Sequence, residues 1–171
     1  MKLTTKGRYA VMAMVDLAQH TALDGSGGPV TLAQIAERQE ISLSYLEQLF
    51  SRLRKDGLVK SIRGPGGGYK LSRHARDLRI ADIVLAVDES LTTTRCNKDS
   101  GKGCMADSRR CVAHDLWEEL GNHIYMFLSS VSLEDVCLRR VLGASGAMVS
   151  ASRSVSEDSE DLPEPLASLA E

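Results

Sequence analysis

Three cysteines, Cys96, Cys104 and Cys111, fall within sixteen residues, and His114 stands three places after the last. The pattern is Cys96-x7-Cys104-x6-Cys111-x2-His114. Three thiols and one imidazole are soft-to-borderline donors, a set that suits tetrahedral zinc or an iron–sulfur cluster. Structural zinc sites usually carry short Cys-x2–4-Cys knuckles, and neither gap here is that short. Wider gaps suit a larger rhombic cluster, and the small or polar residues between the cysteines let backbone N–H groups approach its sulfurs. Spacing alone leaves both metals open, along with unrelated cysteines beside a surface histidine. Cys111 and His114 as nucleophile and base would leave the neighbouring thiols idle, so shared ligation is the better account. No Gly-x-Ser-x-Gly, His-Glu-x-x-His or Ser/His/Asp set nominates a catalytic centre, and an enzyme is not expected. Cys137, on an apolar segment, is expected to be a buried packing residue. His20, His74 and His123 are expected to be surface or satisfied core groups.

A second set of residues is spaced for contact with a polyanion. Over 44–55 the apolar Leu46, Leu49, Phe50 and Leu53 form one helical stripe. The opposite face carries Ser44, Glu47, Gln48, Ser51, Arg52, Arg54 and Lys55. Such a helix fits a DNA major groove, with Arg52, Arg54 and Lys55 neutralising phosphates and Ser42 and Ser44 donating hydroxyls. Any amphipathic helix has a polar face, so the helix alone does not decide. The turn after it adds weight. Arg63-Gly-Pro-Gly-Gly-Gly68, with Gly66 and Gly67 at its tip, has no bulky side chain to hold its backbone away from a ligand. Arg63 at its base is the residue type that a narrow minor groove attracts. As a phosphate loop the turn fails: no Lys-Ser/Thr follows at Walker spacing, and the third glycine of the dinucleotide pattern falls on Tyr69. Glu47 is the odd member, because phosphates repel a carboxylate. Either it accepts from a cytosine amino group or selects against unwanted sequences, or it only closes a capping box with Ser44.

These residues need a scaffold, and hydrophobic periodicity supplies one. Tyr9, Ala10, Met12, Ala13, Val15, Leu17 and Ala18 predict a helix over 5–20, ended by the glycine- and proline-containing loop 23–29. Thr31-Leu-Ala-Gln34 is a capping box for a short helix with Leu32, Ile35 and Ala36 inside. After a break at 39–42, the helix over 44–55 opens on Ser44-Tyr-Leu-Glu47, a second box, and Asp56-Gly57 closes it. Alternating runs at 58–63 and 69–73 around the glycine turn predict a β-hairpin. Further helices are expected over 80–87, 112–131 and 133–141, the last capped by Ser132-Leu-Glu-Asp135, while the loop 92–110 carries the clustered cysteines. The order is that of a winged helix-turn-helix: mostly α with a small β-hairpin wing, plus a long dimerisation helix. That helix carries a stripe, Leu116, Leu120, Ile124, Phe127 and Val131, for which a second copy of the chain is the expected cover. The expected domains are a DNA-binding unit over 1–80, a cluster loop and dimerisation helix over 81–142, and an acidic, disordered tail over 143–171.

The 171 residues carry a net charge of −2, but unevenly. Residues 1–85 hold 13 Lys/Arg against 8 Asp/Glu, and residues 86–171 hold 8 against 15. A basic first half is what a surface that meets polyanions would show. Seven aromatic residues argue against a sandwich or barrel packed on rings. No run reaches the roughly 18 apolar residues of a membrane span, and the N-terminus has no apolar signal core. A cytoplasmic protein without membrane partners is expected, and in that reducing compartment clustered cysteines are more often ligands than disulfides.

Four stretches carry a family likeness. They are Met1-Lys-Leu-Thr-Thr-Lys-Gly-Arg-Tyr-Ala-Val11, Ile41-Ser-Leu-Ser-Tyr-Leu-Glu-Gln-Leu-Phe-Ser-Arg-Leu-Arg-Lys55, Arg63-Gly-Pro-Gly-Gly-Gly-Tyr69 and Ala86-Val-Asp-Glu-Ser90. Together they resemble the bacterial winged-helix family of iron–sulfur cluster regulators, over roughly residues 1–140. The resemblance implies a homodimeric transcription factor on double-stranded DNA operators, with a 2Fe–2S cluster held by three cysteines and one histidine. It implies that the cluster-assembly machinery donates the cluster and that cluster occupancy selects operators, chiefly repressing cluster-assembly genes. Carried over by position, the ligands are Cys96, Cys104, Cys111 and His114, and the recognition residues are Ser42, Ser44, Glu47 and Gln48 with Arg63 in the wing. The gaps in the cysteine loop are longer than usual for the family, while His114 keeps its spacing from Cys111. Family members that sense nitric oxide hold a 4Fe–4S cluster and lack this histidine, so His114 bears on the choice of cluster. The alternatives are a zinc-stabilised winged-helix repressor without redox sensing and a scaffold that passes clusters on.

Overall fold

The first helix, α1, runs Thr5–His20 in the computed structural model, which describes residues 5–87, 103–105, 107 and 109–141. Its inner face is Ala10, Ala13, Met14, Leu17 and Ala18, all fully buried. Met14 takes the inward place and Met12 faces outward, because positions three, four and seven after Ala10 share its face. Helix α2 spans Leu32–Gln39 and opens on the expected box: Gln34 N–H donates to the Thr31 hydroxyl, and Thr31 N–H donates to Gln34 Oε1 at 2.9 Å. Glu40 ends it in the left-handed region, at φ 53°.

Helix α3 runs Leu43–Lys55 and buries Leu46, Leu49, Phe50 and Leu53 to 1 % exposure or less. Removing each such side chain from water is worth about 1.5–3 kcal/mol, so this stripe anchors the helix to the core. The second capping box does not form. The N-cap is Ser42, without a side-chain cap bond, and Ser44 lies inside the first turn. The register explains the correction: with Ser42 as N-cap, position N3 is Tyr45, and Glu47 lies two residues too far on to reach back. The closing end is as expected. Gly57 adopts φ 71°, its N–H donates to Arg54 O at 3.1 Å, and Leu58 N–H donates to Leu53 O at 2.9 Å, the paired bonds of a Schellman turn.

Strands β1 (Val59–Ile62) and β2 (Gly68–Leu71) form the antiparallel hairpin, with Val59 opposite Leu71 and Ile62 opposite Gly68. Val30 extends it, exchanging backbone bonds of 3.0 and 2.7 Å with Tyr69. A short 3₁₀ turn at Ala75–Asp77 leads into α4 (Ile80–Ala86), which packs on α1 and buries Ile80, Ala81, Ile83, Val84 and Ala86. Helix α5 spans His114–Ser130, beginning two residues later than its periodicity suggests. Helix α6 spans Leu133–Cys137, shorter than the expected 133–141, and opens on the Ser132–Asp135 box as expected. The α5–α6 corner is stitched to the start of α4: Ile80 N–H donates to Val131 O at 3.0 Å, and Leu133 N–H donates to Leu78 O at 2.8 Å. Most of the cysteine loop, Cys96 included, and the tail over 143–171 lie outside the described residues.

Candidate DNA-binding surface and metal centre

Helix α3 is fixed from three sides, which leaves one face to solvent. Its apolar stripe enters the core, the Tyr45 ring meets Tyr9 of α1 edge-on at 6.0 Å, and the Phe50 ring meets Tyr69 of β2 at 4.9 Å. The Phe50–Tyr69 contact ties the helix directly to the hairpin. Ser42, Ser44, Glu47, Gln48, Arg54 and Lys55 are exposed. Among the described residues no hydrogen bond or ion pair engages the Glu47 carboxylate, so the capping role is gone and the outward-facing role is left.

Arg52 is different. It is half-buried, and its guanidinium donates to Val87 O at 3.4 Å. This cation, expected on phosphate, therefore links α3 to the end of α4, at the last described residue before the cysteine loop. Periodicity has no signal for a bond between residues 35 apart.

In the hairpin turn Arg63 and Gly66 are exposed, and Gly67 N–H donates to Gly64 O at 2.9 Å. A side chain at Gly67 would press into the carbonyls of Ile62 and Gly64. The glycine is thus needed by the turn itself, whatever the turn touches.

The cysteine segment meets α5 at its first residue. Cys104 Sγ lies 3.1 Å from His114 Nδ1, and His114 is 5 % exposed. Cys111 precedes the helix by one turn, its carbonyl accepting from His114 N–H at 3.0 Å. Met105 N–H donates to Arg109 O at 3.1 Å, folding the segment back between the two cysteines. A thiolate and an imidazole on one tetrahedral metal sit roughly 3.5 Å apart, from bonds of about 2.3 and 2.05 Å. The Cys104–His114 pair fits that spacing. Two groups that the cysteine pattern does not contain also gather here: His114 Nε2, Asp115 and Glu118 offer ligand atoms all within 4.8 Å of one another. Glu118 stands at i+4 from His114, a spacing legible in the sequence.

Elsewhere, Cys137 Sγ lies 3.9 Å from Val15 O, and burial pushes its thiol above the usual cysteine range, as expected of a packing residue. His123 is exposed beside Glu119, and His20 is bonded to the Asp16 carbonyl. Asp16, 2 % exposed, receives Nε and terminal guanidinium bonds from Arg38 and one from Gln39. Burial raises its carboxyl, but those hydrogen bonds and the Arg38 charge outweigh it and hold the group below the usual carboxylate value. No helix among the described residues is long and apolar enough to cross a membrane.

Residues 3–139 match the family model Rrf2, described as an iron-dependent transcriptional regulator. The chain belongs to the Rrf2 family. Curated relatives agree: it is 56 % identical over 136 residues to the HTH-type transcriptional regulator IscR of Photorhabdus laumondii, covering 80 % of this chain and 79 % of that one. Against IscR of Escherichia coli O1:K1 the identity is 52 % over 147 residues, covering 85 % and 86 %. Among solved structures, T. potens IscR aligns with a TM-score of 0.61 at 36 % identity, covering 94 % of each chain. CymR, the global cysteine regulator of B. subtilis, aligns with a TM-score of 0.66 at 33 % identity, covering 81 % of this chain and 98 % of that one. With these Rrf2 relatives, the winged helix-turn-helix is that of a DNA-binding transcriptional regulator and not of an enzyme.

Proposed function

We propose that this regulator senses iron–sulfur cluster status, holding a 2Fe–2S cluster through Cys96, Cys104, Cys111 and His114 and chiefly repressing cluster-assembly genes. The observation that carries the reading is the Cys104 Sγ–His114 Nδ1 approach of 3.1 Å, at the first residue of α5. A soft thiolate and a buried imidazole held this close are a poor surface pair and a good pair of metal ligands. When bound, a cluster supplies a redox-active centre whose presence follows cellular supply, with the cluster-assembly machinery as its donor. The protein's own part is to convert loop order into DNA affinity. Ordering 96–111 acts on the start of α5 at one end and on Val87 at the other, and Val87 O is held by Arg52 of α3.

The DNA-facing residues in this reading are Ser42, Ser44, Glu47, Gln48, Arg54 and Lys55 on α3, with Arg63, Gly66 and Gly67 in the wing. Arg52 contributes through its backbone link before any phosphate contact. The chain acts as a cytoplasmic homodimer on operators, with α5 as the seam. Leu116, Trp117, Leu120, Tyr125, Met126 and Phe127 are exposed at 65, 46, 38, 49, 69 and 54 %, an apolar face that an isolated chain would leave in water. The domains at 1–80 and 81–142 then divide reading from sensing.

Anaerobic reconstitution tests the reading. Visible charge-transfer bands with two irons and two sulfides per chain are expected, and Cys104→Ala should abolish them while leaving a folded dimer. The carboxylates beside His114 favour one other outcome, a colourless protein with one tightly held zinc per chain. That result would overturn the cluster in favour of a zinc-stabilised repressor.

A further inference from the structure

His114 has two ring nitrogens, and each meets a different partner. Nδ1 lies 3.1 Å from Cys104 Sγ, and Nε2 lies 3.5 Å from Glu118 Oε2. The imidazole is 6 % exposed and the Glu118 side chain 26 %, so water reaches this pair poorly. A neutral imidazole carries one proton on one nitrogen, and the partner of each nitrogen decides which. A carboxylate accepts only, so Glu118 favours the proton on Nε2 and leaves the Nδ1 lone pair directed at Cys104. The two nitrogens of one ring point in diverging directions and cannot serve a single metal ion. Glu118 therefore stands on the far side of the ring from the ligand site.

We propose that Glu118 is a positioning residue: it fixes the Nε2-protonated tautomer of His114, making Nδ1 the metal-binding nitrogen and strengthening it as a donor. The inference rests on His114 being a ligand, as the proposed function has it. One helix supplies both groups, since His114 and Glu118 are i and i+4 on α5, so the orientation is built into the helix and needs no part of the cysteine loop. A ligating histidine whose other N–H is held by a carboxylate has a fixed ring orientation and a more basic donor nitrogen. A more electron-rich donor favours the oxidised metal centre, so Glu118 lowers the potential of whatever Nδ1 binds. Asp115 provides the control. It adds the same charge nearby, but its side chain is 92 % exposed and pairs with Arg110 at 3.7 Å.

The test uses the full chain in two states. In the metal-free protein with ¹⁵N-labelled histidine, in mildly alkaline solution, His114 should show the Nε2–H tautomer. Glu118→Ala should give a mixture, and Glu118→Gln, which can still accept through its amide oxygen, should retain the tautomer. After reconstitution with iron and sulfide, the midpoint potential should move positive in both Glu118 variants and stay put in Asp115→Asn. An unchanged tautomer and potential in Glu118→Ala overturns the proposal, as does an equal shift in Asp115→Asn, which would reduce the effect to a distant field. If the unaltered chain takes up no cluster while the tautomer still depends on Glu118, the cluster reading falls and the assignment of Glu118 stands.

Discussion

Glu47 and Arg54 carry opposite charges on the same exposed face of α3, and they are expected to leave different signatures on DNA binding. Arg54→Ala should weaken every operator alike and reduce the salt slope by about one unit, as loss of one phosphate contact does. Glu47→Ala should relax discrimination, admitting sequences that a carboxylate rejects. Binding isotherms on a panel of operators at two salt concentrations separate the two. An unaltered preference in Glu47→Ala would remove its selecting role, and capping is no longer available to explain the residue, because α3 starts one residue earlier than that box needs. Asp16 is the other residue whose environment dictates an outcome. Its carboxylate ties α1 to Arg38 and Gln39 of α2, and its folded-state value is held below the ordinary 3.8. A depressed acid stabilises the fold above its unfolded value, and that contribution drains away as pH falls through the folded value, below about 4. Asp16→Asn should cost about 2 kcal/mol at neutral pH by denaturant melts, the loss of charged hydrogen bonds at a buried site. The same variant should flatten the acid limb of the stability profile.

At the scale of elements, the wing is the part with least room for change. Its turn is closed by the Gly67–Gly64 backbone bond, and a methyl group at Gly67 would meet two carbonyls of the same turn. Gly67→Ala should therefore deform the turn at a cost of about 1–2 kcal/mol and weaken operator binding, with far-UV helicity retained. Gly28→Ala is the matched comparison, since a side chain there meets nothing within 4 Å, and it should bind and melt like the unaltered chain. The Phe50–Tyr69 contact makes wing and helix one rigid reader, so a deformed turn is felt beyond its own residues.

For the whole molecule, the exposed face of α5 sets the expectation. Leu120→Asp with Ile124→Asp places two charges in the proposed seam without touching the winged core, because α5 packs within its own chain chiefly on α4. Sedimentation should show a monomer with native helicity and lost operator binding. A variant that remains dimeric would end the proposal that α5 is the interface. Dimer and DNA binding are linked by geometry: two recognition helices meet successive half-sites only when a two-fold axis sets their spacing.

Local chemistry is written in the chain order, and it was legible there. The stripe Leu46, Leu49, Phe50, Leu53, the Thr31 and Ser132 boxes, the Gly57 stop and the hairpin all depend on residues within a few positions of one another, where periodicity and turn chemistry act directly. The ligand set Cys96, Cys104, Cys111 and His114 was legible for the same reason, as donor types at close spacing. What depends on contacts distant in sequence was not. That Arg52 turns to Val87, that Asp16 is buried under Arg38, and that the apolar face of α5 is left in water are consequences of how helices stack, which no window of residues encodes. The start of α3 lay between these cases: two serines two residues apart offer equal caps, and the packing of Leu46, Leu49, Phe50 and Leu53 selects the register in which Ser42 is the cap and Glu47 faces out. Propensity proposes a helix end to within a residue or two, and burial of the apolar face, worth several times a cap bond, decides it.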